Sequence, residues 1–262
     1  MKNIYRARRI LMSAIVISLF SFILISTAQA GKIVLANDEW TLSNSGFSSP
    51  NDPATFATNV AEWFSGGSPG SFLVYSSNFG LTGSSLAGAM TSDGNSWTVS
   101  TGISFNLPTL LGYDGIFLAG NAADNTVLIN YVNAGGNVYL AGGTGTGGAA
   151  AEAAQWNTFL SNFGLGFGTF YNNIIASIPI NSLHPIFSGV DHLYQNRGND
   201  ALDILVSDPC AVVLVSSNTH GLYAVYDSGS AAVPEPSTFL LLGSGLVGIG
   251  LIIGISRRKL RA

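Results

Sequence analysis

The chain has 262 residues, of which 47% are hydrophobic and only 9% charged, with a formal net charge of −4. Eight of its ten Lys and Arg residues lie at the two ends, so residues 31–230 hold two basic against thirteen acidic side chains. A net charge near −11 in this central part argues against nucleic-acid binding. A single cysteine, Cys210, excludes an intramolecular disulfide.

The N-terminus has the pattern of a secretory signal peptide. Four basic residues before position 10 are followed by an apolar run, Ile10 to Ile25, and then by Ala28-Gln29-Ala30. Small residues at Ala28 and Ala30 are typical of a signal-peptidase site, so residues 1–30 are expected to be removed after export. An uncleaved N-terminal anchor is the alternative.

Helices and short apolar strands alternate in the central part. Asp52-Pro53 predicts a helix start, and helical spacing from Phe56 to Phe64 continues it. Further helices are predicted near residues 84–90, 124–134 and 149–163, and strands at 71–76, 97–100, 115–119 and 137–141. Residues 211–216 and 222–227 predict a β-hairpin around Asn218-Thr219-His220-Gly221.

Uniformly apolar strands alternating with helices favour a mainly parallel sheet covered on both faces. The predicted fold is therefore α/β, a three-layer flavodoxin-like sandwich over residues 31–230. The stretches YDGIFLAG, VLINYVNAGGNVYLAGG and HPIFSGV also resemble the class I glutamine amidotransferase-like superfamily, in particular its non-enzymatic members.

That resemblance implies a nucleophile on the turn after the strand at 137–141. The turn reads Gly142-Gly143-Thr144-Gly145 and contains neither Cys nor Ser, so glutamine hydrolysis is not expected. Thr144 lacks an evident base in the local sequence. We therefore predict no catalytic residues and no cofactor.

The same turn is a candidate ligand loop, made of Gly143, Thr144, Gly145 and Gly148. Its GxGxxG spacing is that of a dinucleotide fingerprint, but it follows the fourth predicted strand, and no acidic residue ends a strand ~20 residues later. A flexible loop or a small-ligand or anion site is the preferred interpretation.

The remaining candidates for chemistry are sparse. His184 is predicted to be structural, and His192 and His220 to be solvated. Four acids could in principle hold calcium, although their spacing matches no specific loop, and no metal is predicted; they are Asp191, Asp200, Asp203 and Asp208.

The C-terminus has three consecutive parts in residues 231–262. The polar motif Val233-Pro234-Glu235-Pro236-Ser237-Thr238 precedes a predicted transmembrane helix at 239–256. The basic tail at 257–261 keeps the C-terminus in the cytoplasm by the positive-inside rule; its charges are Arg257, Arg258, Lys259 and Arg261. A plain tail anchor is the alternative.

This motif, helix and basic cluster resemble the PEP-CTERM sorting signal, also called the ice-binding protein C-terminal domain. The resemblance implies recognition by exosortase, a membrane-embedded protease-transpeptidase, near Pro234-Glu235-Pro236. Export machinery, signal peptidase, the membrane and exosortase are the expected partners, with an exopolysaccharide left open. The chain would reside in the inner membrane, facing outward, and then in the cell envelope or extracellular matrix.

The predicted function is that of an exported, membrane-sorted protein with a non-catalytic binding or structural ectodomain. Two alternatives remain. One is an extracytoplasmic hydrolase that uses Thr144 or Cys210 with a histidine; the other is a matrix protein that binds calcium or polysaccharide.

Overall fold

The computed structural model describes residues 31–204 and 209–230. The predicted signal peptide, sorting motif, transmembrane helix and basic tail lie outside these residues. Within the described ranges, no helix has the length and hydrophobicity needed to cross a membrane.

The described residues form short strands and helices in alternation. The strands are β1 (Lys32–Ala36), β2 (Ser71–Val74), β3 (Ser96–Val99), β4 (Gly115–Ala119), β5 (Val138–Ala141), β6 (Leu165–Tyr171), β7 (Ile175–Pro179), β8 (His192–Asn196), β9 (Asn199–Asp203), β10 (Ala211–Ser217) and β11 (His220–Asp227). The α-helices are α1 (Pro53–Ser65), α2 (Phe79–Thr82), α3 (Ser84–Ser92), α4 (Leu107–Leu110), α5 (Asn125–Asn133) and α6 (Ala149–Leu160). Single 3-10 turns span Glu39–Leu42, Ser161–Phe163, Pro185–Phe187 and Ser228–Ser230.

Seven strands form one sheet in the order β10-β11-β1-β5-β4-β2-β3. Strands β1 to β5 are parallel, whereas β11 and β10 extend the sheet antiparallel beside β1. The predicted mixed α/β fold with a mostly parallel sheet is confirmed. In a flavodoxin-like sheet the first strand lies between the second and third, whereas here it lies beside the fifth.

Two apolar clusters sandwich this sheet, because successive side chains of a strand point to opposite faces. In β1, Val34 and Ala36 pack with helices α1 to α3, while Ile33 and Leu35 pack with helices α4 to α6. Strand β4 is buried at all five residues, which explains its continuous apolar sequence.

Helix boundaries follow local signals with two departures. Asp124, the first residue of the helix predicted at 124–134, caps α5 by accepting from the N–H groups of Thr126 (2.8 Å) and Val127 (3.2 Å). Asp52 precedes α1, but its carboxyl accepts instead from the backbone of Asp191 and His192. Helix α6 ends at Leu160, and a 3-10 turn completes the predicted span to residue 163.

The hairpin predicted near the end of the central part is confirmed as β10 and β11. Asn218 (φ 49°) and Thr219 (φ 70°) form its two-residue turn, and both have the positive φ that such a turn requires. Between α6 and this hairpin, two small antiparallel sheets pair β6 with β9 and β7 with β8.

At the carboxyl ends of the parallel strands, the loops that follow the strands lead to helices on opposite faces of the sheet. Loops after β1 and β2 lead to helices on one face, and loops after β4 and β5 lead to helices on the other. The neighbours β1 and β5 therefore send their loops in opposite directions, as do β2 and β4. In open α/β sheets, ligands bind in the crevice at such switch points.

Candidate functional site

Five polar side chains gather at this carboxyl edge, and we call them the carboxyl-edge cluster: Asp38, Glu39, Asn78, Thr144 and Glu152. Loops after β1, β2 and β5 carry the first four, while Glu152 comes from the first turn of α6. All three carboxyl groups belong to residues that are at most 6% exposed.

Glu152 binds the predicted ligand loop through its carboxyl group. It accepts hydrogen bonds from the N–H of Gly143 (3.0 Å) and Thr144 (3.3 Å) and from the Thr144 hydroxyl (2.6 Å). The local sequence offers no base for Thr144, yet the fold brings this carboxyl, eight residues on, into hydrogen-bond reach. The backbone donors that could hold an external anion are thus occupied by an internal one.

Loops from two distant strands meet above the ends of β5 and β4. The Asn78 amide donates to the Glu39 carboxyl, and the neighbouring rings of Trp40 and Phe79 make an edge-to-face contact with centroids 4.9 Å apart. Because β5 and β4 lie between β1 and β2 in the sheet, these paired contacts bridge both strand ends. Gly120, at the end of β4, lies below this bridge: a Cβ there would be 3.3 Å from Asn78 Nδ2 and 3.6 Å from Thr144 Cβ.

Asp38 is fully buried where β1 ends. Its carboxyl accepts from the N–H groups of Trp40 (2.8 Å), Asn196 and Gly198, which connects β1 to the turn between β8 and β9. Burial raises the pKa of Asp38 to about 6, and the hydrogen bonds oppose that shift only in part.

The pKa values of the other two carboxyl groups, Glu39 and Glu152, are raised by burial as well. Burial raises the pKa of Glu39 to about 7; the Asn78 hydrogen bond lowers it, and the charges of Asp38 and Glu152 raise it further. Burial also raises the pKa of Glu152, against the hydrogen bonds from Thr144 and Gly143. Perturbed carboxyl groups in one place are typical of functional sites.

Two buried polar side chains beside Asp38 have no hydrogen-bond partner among the described residues. Both amide atoms of Asn37 are unpaired, and so is the hydroxyl of Tyr139, although neither residue is exposed. The Asn37 amide lies against Gly198, where a Cβ would be 2.6 Å from its Nδ2. An unpaired buried polar group costs about 1–3 kcal/mol, so these two call for an explanation.

Within the described ranges, none of the three carboxyl groups pairs with a Lys or Arg. The ion pair recorded there joins His220 to Asp200 at 2.9 Å. Lys32 lies at the opposite edge of the sheet, with its Nζ 4.8 Å from the Trp63 ring centre. Arg197 is exposed in the turn between β8 and β9. Among the residues that the structure describes, the cluster therefore has no positive counter-charge.

His184 and His220 contact residues other than Thr144. His184 packs edge-on against Trp63, with centroids 5.0 Å apart, and accepts from the Ile186 N–H at the start of a 3-10 turn, in line with the structural role predicted for it. His220 bonds to Asp200, although it was expected to be solvated. His192 is half-buried in β8, and Cys210 lies just before β10.

Among the acids singled out for calcium, the side chains that the structure describes do not assemble a metal site. In residues 31–204 and 209–230, no three His, Cys, Asp or Glu side chains are placed to hold a metal ion. Asp200 is engaged by His220, whereas Asp208 and the side chain of Asp203 lie outside what the structure describes.

A separate cavity of about 270 Å³ lies at the amino ends of β2 and β3, opposite the carboxyl-edge cluster; it is lined by Glu62, Gly67, Ser68, Pro69, Asp93 and Asn95. It contains none of the perturbed carboxyl groups. We therefore place the candidate site at the carboxyl edge.

Comparison with known families identifies one segment of the chain. The family described as the PEP-CTERM protein-sorting motif matches residues 232–259, which confirms the sorting signal read from the C-terminus. The match indicates an exported protein that exosortase processes. No curated protein and no solved structure matches the chain, so the resemblance to amidotransferase-like proteins has no further support.

The acids of the cluster were not selected from the sequence, although one signal was present. Asn37-Asp38-Glu39 directly follows an apolar strand in a charge-poor chain, and polar residues at the carboxyl end of a parallel strand often face a ligand site. Glu152 gives no such signal, because an acid in the first turn of a helix is common.

Proposed function

We propose that this chain is an exosortase substrate delivered to the cell envelope or extracellular matrix, where residues 31–230 act as a non-catalytic binding domain. In this proposal signal peptidase removes residues 1–30, and the predicted transmembrane helix at 239–256 holds the precursor in the inner membrane until processing. The matched motif at residues 232–259 supports the sorting part.

One observation carries the non-catalytic part of the proposal. Acyl-transfer chemistry needs free N–H donors beside the nucleophile to stabilise the developing oxyanion. At the turn after β5, which resembles a nucleophile turn, the N–H groups of Gly143 and Thr144 bond to Glu152 instead. The turn is thus closed by its own carboxyl group, which suits a fixed wall of a binding site.

A hydrolase is the second candidate, and the same pair of residues favours it. The Thr144 hydroxyl lies 2.6 Å from Glu152 Oε1, which is a nucleophile–base distance. A Thr144→Val substitution keeps the shape of the side chain and removes the hydroxyl. We expect no turnover of ester, amide or glycoside substrates by either the wild type or this variant. Turnover that is lost in Thr144→Val would overturn the non-catalytic proposal.

The sorting part is tested in cells. Replacing Pro234-Glu235-Pro236 by alanines should leave the unprocessed precursor in the membrane fraction, because proline disfavours helix and favours the extended backbone that a protease needs. A strain without exosortase, carrying the wild-type chain, should show the same precursor. Unchanged processing of the alanine variant would refute the role of the motif.

A further inference from the structure

Both ends of the folded domain lie at the amino edge of the main sheet, which is the edge opposite the carboxyl-edge cluster. Strand β1 begins with Lys32, directly after Gly31. Strand β11 is antiparallel to β1 and ends with Asp227, which is the register partner of Lys32. The segment that precedes Gly31 and the sorting segment that follows Ser230 are therefore attached to the same edge of the domain.

The connection from this edge to the predicted transmembrane helix is short. Eight residues, 231–238, separate Ser230 from the helix predicted at 239–256. A fully extended chain of that length spans at most about 29 Å. While the precursor is anchored, the amino edge therefore stays near the lipid surface. A tether this short gives an effective concentration on the order of millimolar, so a contact that is weak in free solution can persist.

One loop at this edge exposes a leucine completely. The Leu183 loop, residues 181–184, follows β7, and Leu183 is 101% exposed, more than any other large apolar side chain of the described residues. The next residue fixes the position of the loop, because the His184 ring packs edge-on against Trp63. Trp63 lies beside the start of β1, where its carbonyl oxygen accepts from the Lys32 ammonium group at 2.6 Å.

The end of β11 lies beside the same loop. Burial lowers the pKa of both His184 and Lys32, and the charge of Asp227 opposes that shift in each of them. Charges act on each other appreciably only within about a Debye length, ~8–10 Å. The Leu183 loop, the start of β1 and the point from which the sorting segment departs therefore share one small surface.

The side chains of this surface suit the boundary between lipid and water. Tryptophan and lysine are both stable there, because each joins an apolar body to a polar end that remains at the headgroups. An exposed leucine gains free energy when its apolar area leaves water. Since burial lowers the pKa of His184, this neighbour of Leu183 is uncharged at neutral pH and adds no cost of desolvating a charge. Scattered exposed apolar residues are common, so it is the position of Leu183 that carries the argument.

We propose that the Leu183 loop contacts the lipid surface in the anchored precursor, with Leu183 inserted between the headgroups and with Trp63 and Lys32 at headgroup level. The contact turns the amino edge toward the membrane. The carboxyl-edge cluster, at the other end of the strands, is thereby presented away from it. This inference rests on the proposed function, in which the sorting signal anchors the precursor before exosortase processes it.

Fluorescence quenching of the full-length precursor tests the contact. The precursor is reconstituted in phosphatidylcholine vesicles that contain spin-labelled phosphatidylcholine as quencher. This zwitterionic lipid does not repel a domain with a net charge near −11. A fluorophore is attached to Leu183→Cys after Cys210, the native cysteine, is replaced by serine, or by alanine if serine impairs folding. We expect this label to be quenched at least ~2-fold more strongly than one at residue 170, because interfacial side chains lie about 5–10 Å deep in the lipid.

Phe170→Cys is the matched control for exposure. Phe170 is 82% exposed, and it lies two residues before Asn172, whose N–H donates to the Gly198 carbonyl in the turn between β8 and β9. That turn contacts the end of β1 at the carboxyl edge, because a Cβ at Gly198 would lie 2.3 Å from the Asn37 carbonyl oxygen. A label at residue 170 should therefore remain outside the lipid.

A second variant tests the leucine itself. With the label on Asn181→Cys, at an exposed residue of the same loop, Leu183→Asn should reduce quenching at least ~2-fold, because the apolar side chain that enters the lipid is lost. Leu183 is fully exposed, so the melting temperature should not change. Phe170→Asn should leave quenching at residue 181 unchanged.

Three results would overturn the inference. They are equal quenching at residues 183 and 170, quenching at residue 181 that Leu183→Asn does not reduce, and shielding of residue 183 from water without quenching by lipid. The last result would assign the loop to a second copy of the chain or to exosortase. In all three cases the precursor remains in the vesicles, so the proposed sorting function stands. A precursor that does not stay with the vesicles would contradict that function and this contact together.

Discussion

The hydroxyl of Thr144 donates a 2.6 Å hydrogen bond to Glu152, and the same carboxyl group accepts from the backbone of Gly143 and Thr144. This contact fixes the glycine-rich turn after β5 against the first turn of α6. The hydrogen bonds hold the turn in one conformation, and they place the Glu152 carboxyl group in the carboxyl-edge cluster.

Glu152 should contribute strongly to folding stability. Glu152→Ala removes the acceptor for three donors and should lower the free energy of unfolding by about 2 kcal/mol, because two half-buried N–H groups and a hydroxyl lose their partner. Thr144→Val removes a single donor and should cost about 1 kcal/mol. Urea denaturation of both variants measures the difference, with the exposed Glu62→Ala as control. An equal loss for Glu62→Ala would contradict the role given to Glu152.

Gly143 and Gly145 form a matched pair. Both have positive φ, 71° and 72°, but a Cβ at Gly143 would lie 2.8 Å from the Gly198 Cα, whereas none of the described atoms lies within 4 Å of one at Gly145. Each Gly→Ala substitution should cost about 1 kcal/mol for the backbone conformation. Gly143→Ala should cost at least about 1 kcal/mol more, because it also separates the β5 turn from the β8–β9 turn. Equal melting temperatures would show that the two turns do not pack this closely.

Stability should depend on pH through Glu39. Its pKa is raised from 4.5 to about 7 in the folded state, so the folded protein binds this proton more tightly than the unfolded chain does. The resulting stabilisation is complete below the unfolded pKa and is lost as pH rises through 7. Between pH 5 and pH 8, the wild type should lose about 2 kcal/mol more unfolding free energy than Glu39→Gln does. Parallel pH profiles for the two proteins would contradict the raised pKa.

Two tyrosines test whether the unpaired hydroxyl of Tyr139 lowers the folding stability of the protein. Tyr139 has a buried hydroxyl without a partner in the described part of the chain, whereas the Tyr131 hydroxyl donates to the Tyr113 carbonyl at 3.2 Å. Tyr139→Phe should leave stability unchanged or raise it by about 1 kcal/mol, and Tyr131→Phe should lower it by about 1 kcal/mol. Thermal unfolding compares them directly. A loss for Tyr139→Phe as large as that for Tyr131→Phe would mean that the Tyr139 hydroxyl is satisfied.

The main sheet and its helices could be predicted because their signals are local. Continuous apolar runs such as Gly115–Ala119 mark buried strands, and helical spacing with a polar start marks α1, α5 and α6. The turn at Asn218 and Thr219 likewise depends on adjacent residues. The strand order could not be predicted, because it depends on pairing between apolar strands that are distant in the sequence.

The candidate site was out of reach for a similar reason. Glu39 meets Asn78 across 39 positions, and Asp38 meets the Asn196 backbone across 158. No local pattern encodes such contacts. The glycine turn follows β5 as the sequence predicted, but its contact with Glu152 depends on how α6 packs against it.

Mass spectrometry of the mature protein from cells tests the central claim most directly, because it determines both ends of the chain. The account predicts an N-terminus at Gly31 and a C-terminus within or beside Val233–Thr238, in protein recovered from the envelope or the medium. An intact chain from Met1 to Ala262, recovered in soluble form from the cytoplasm, would contradict it.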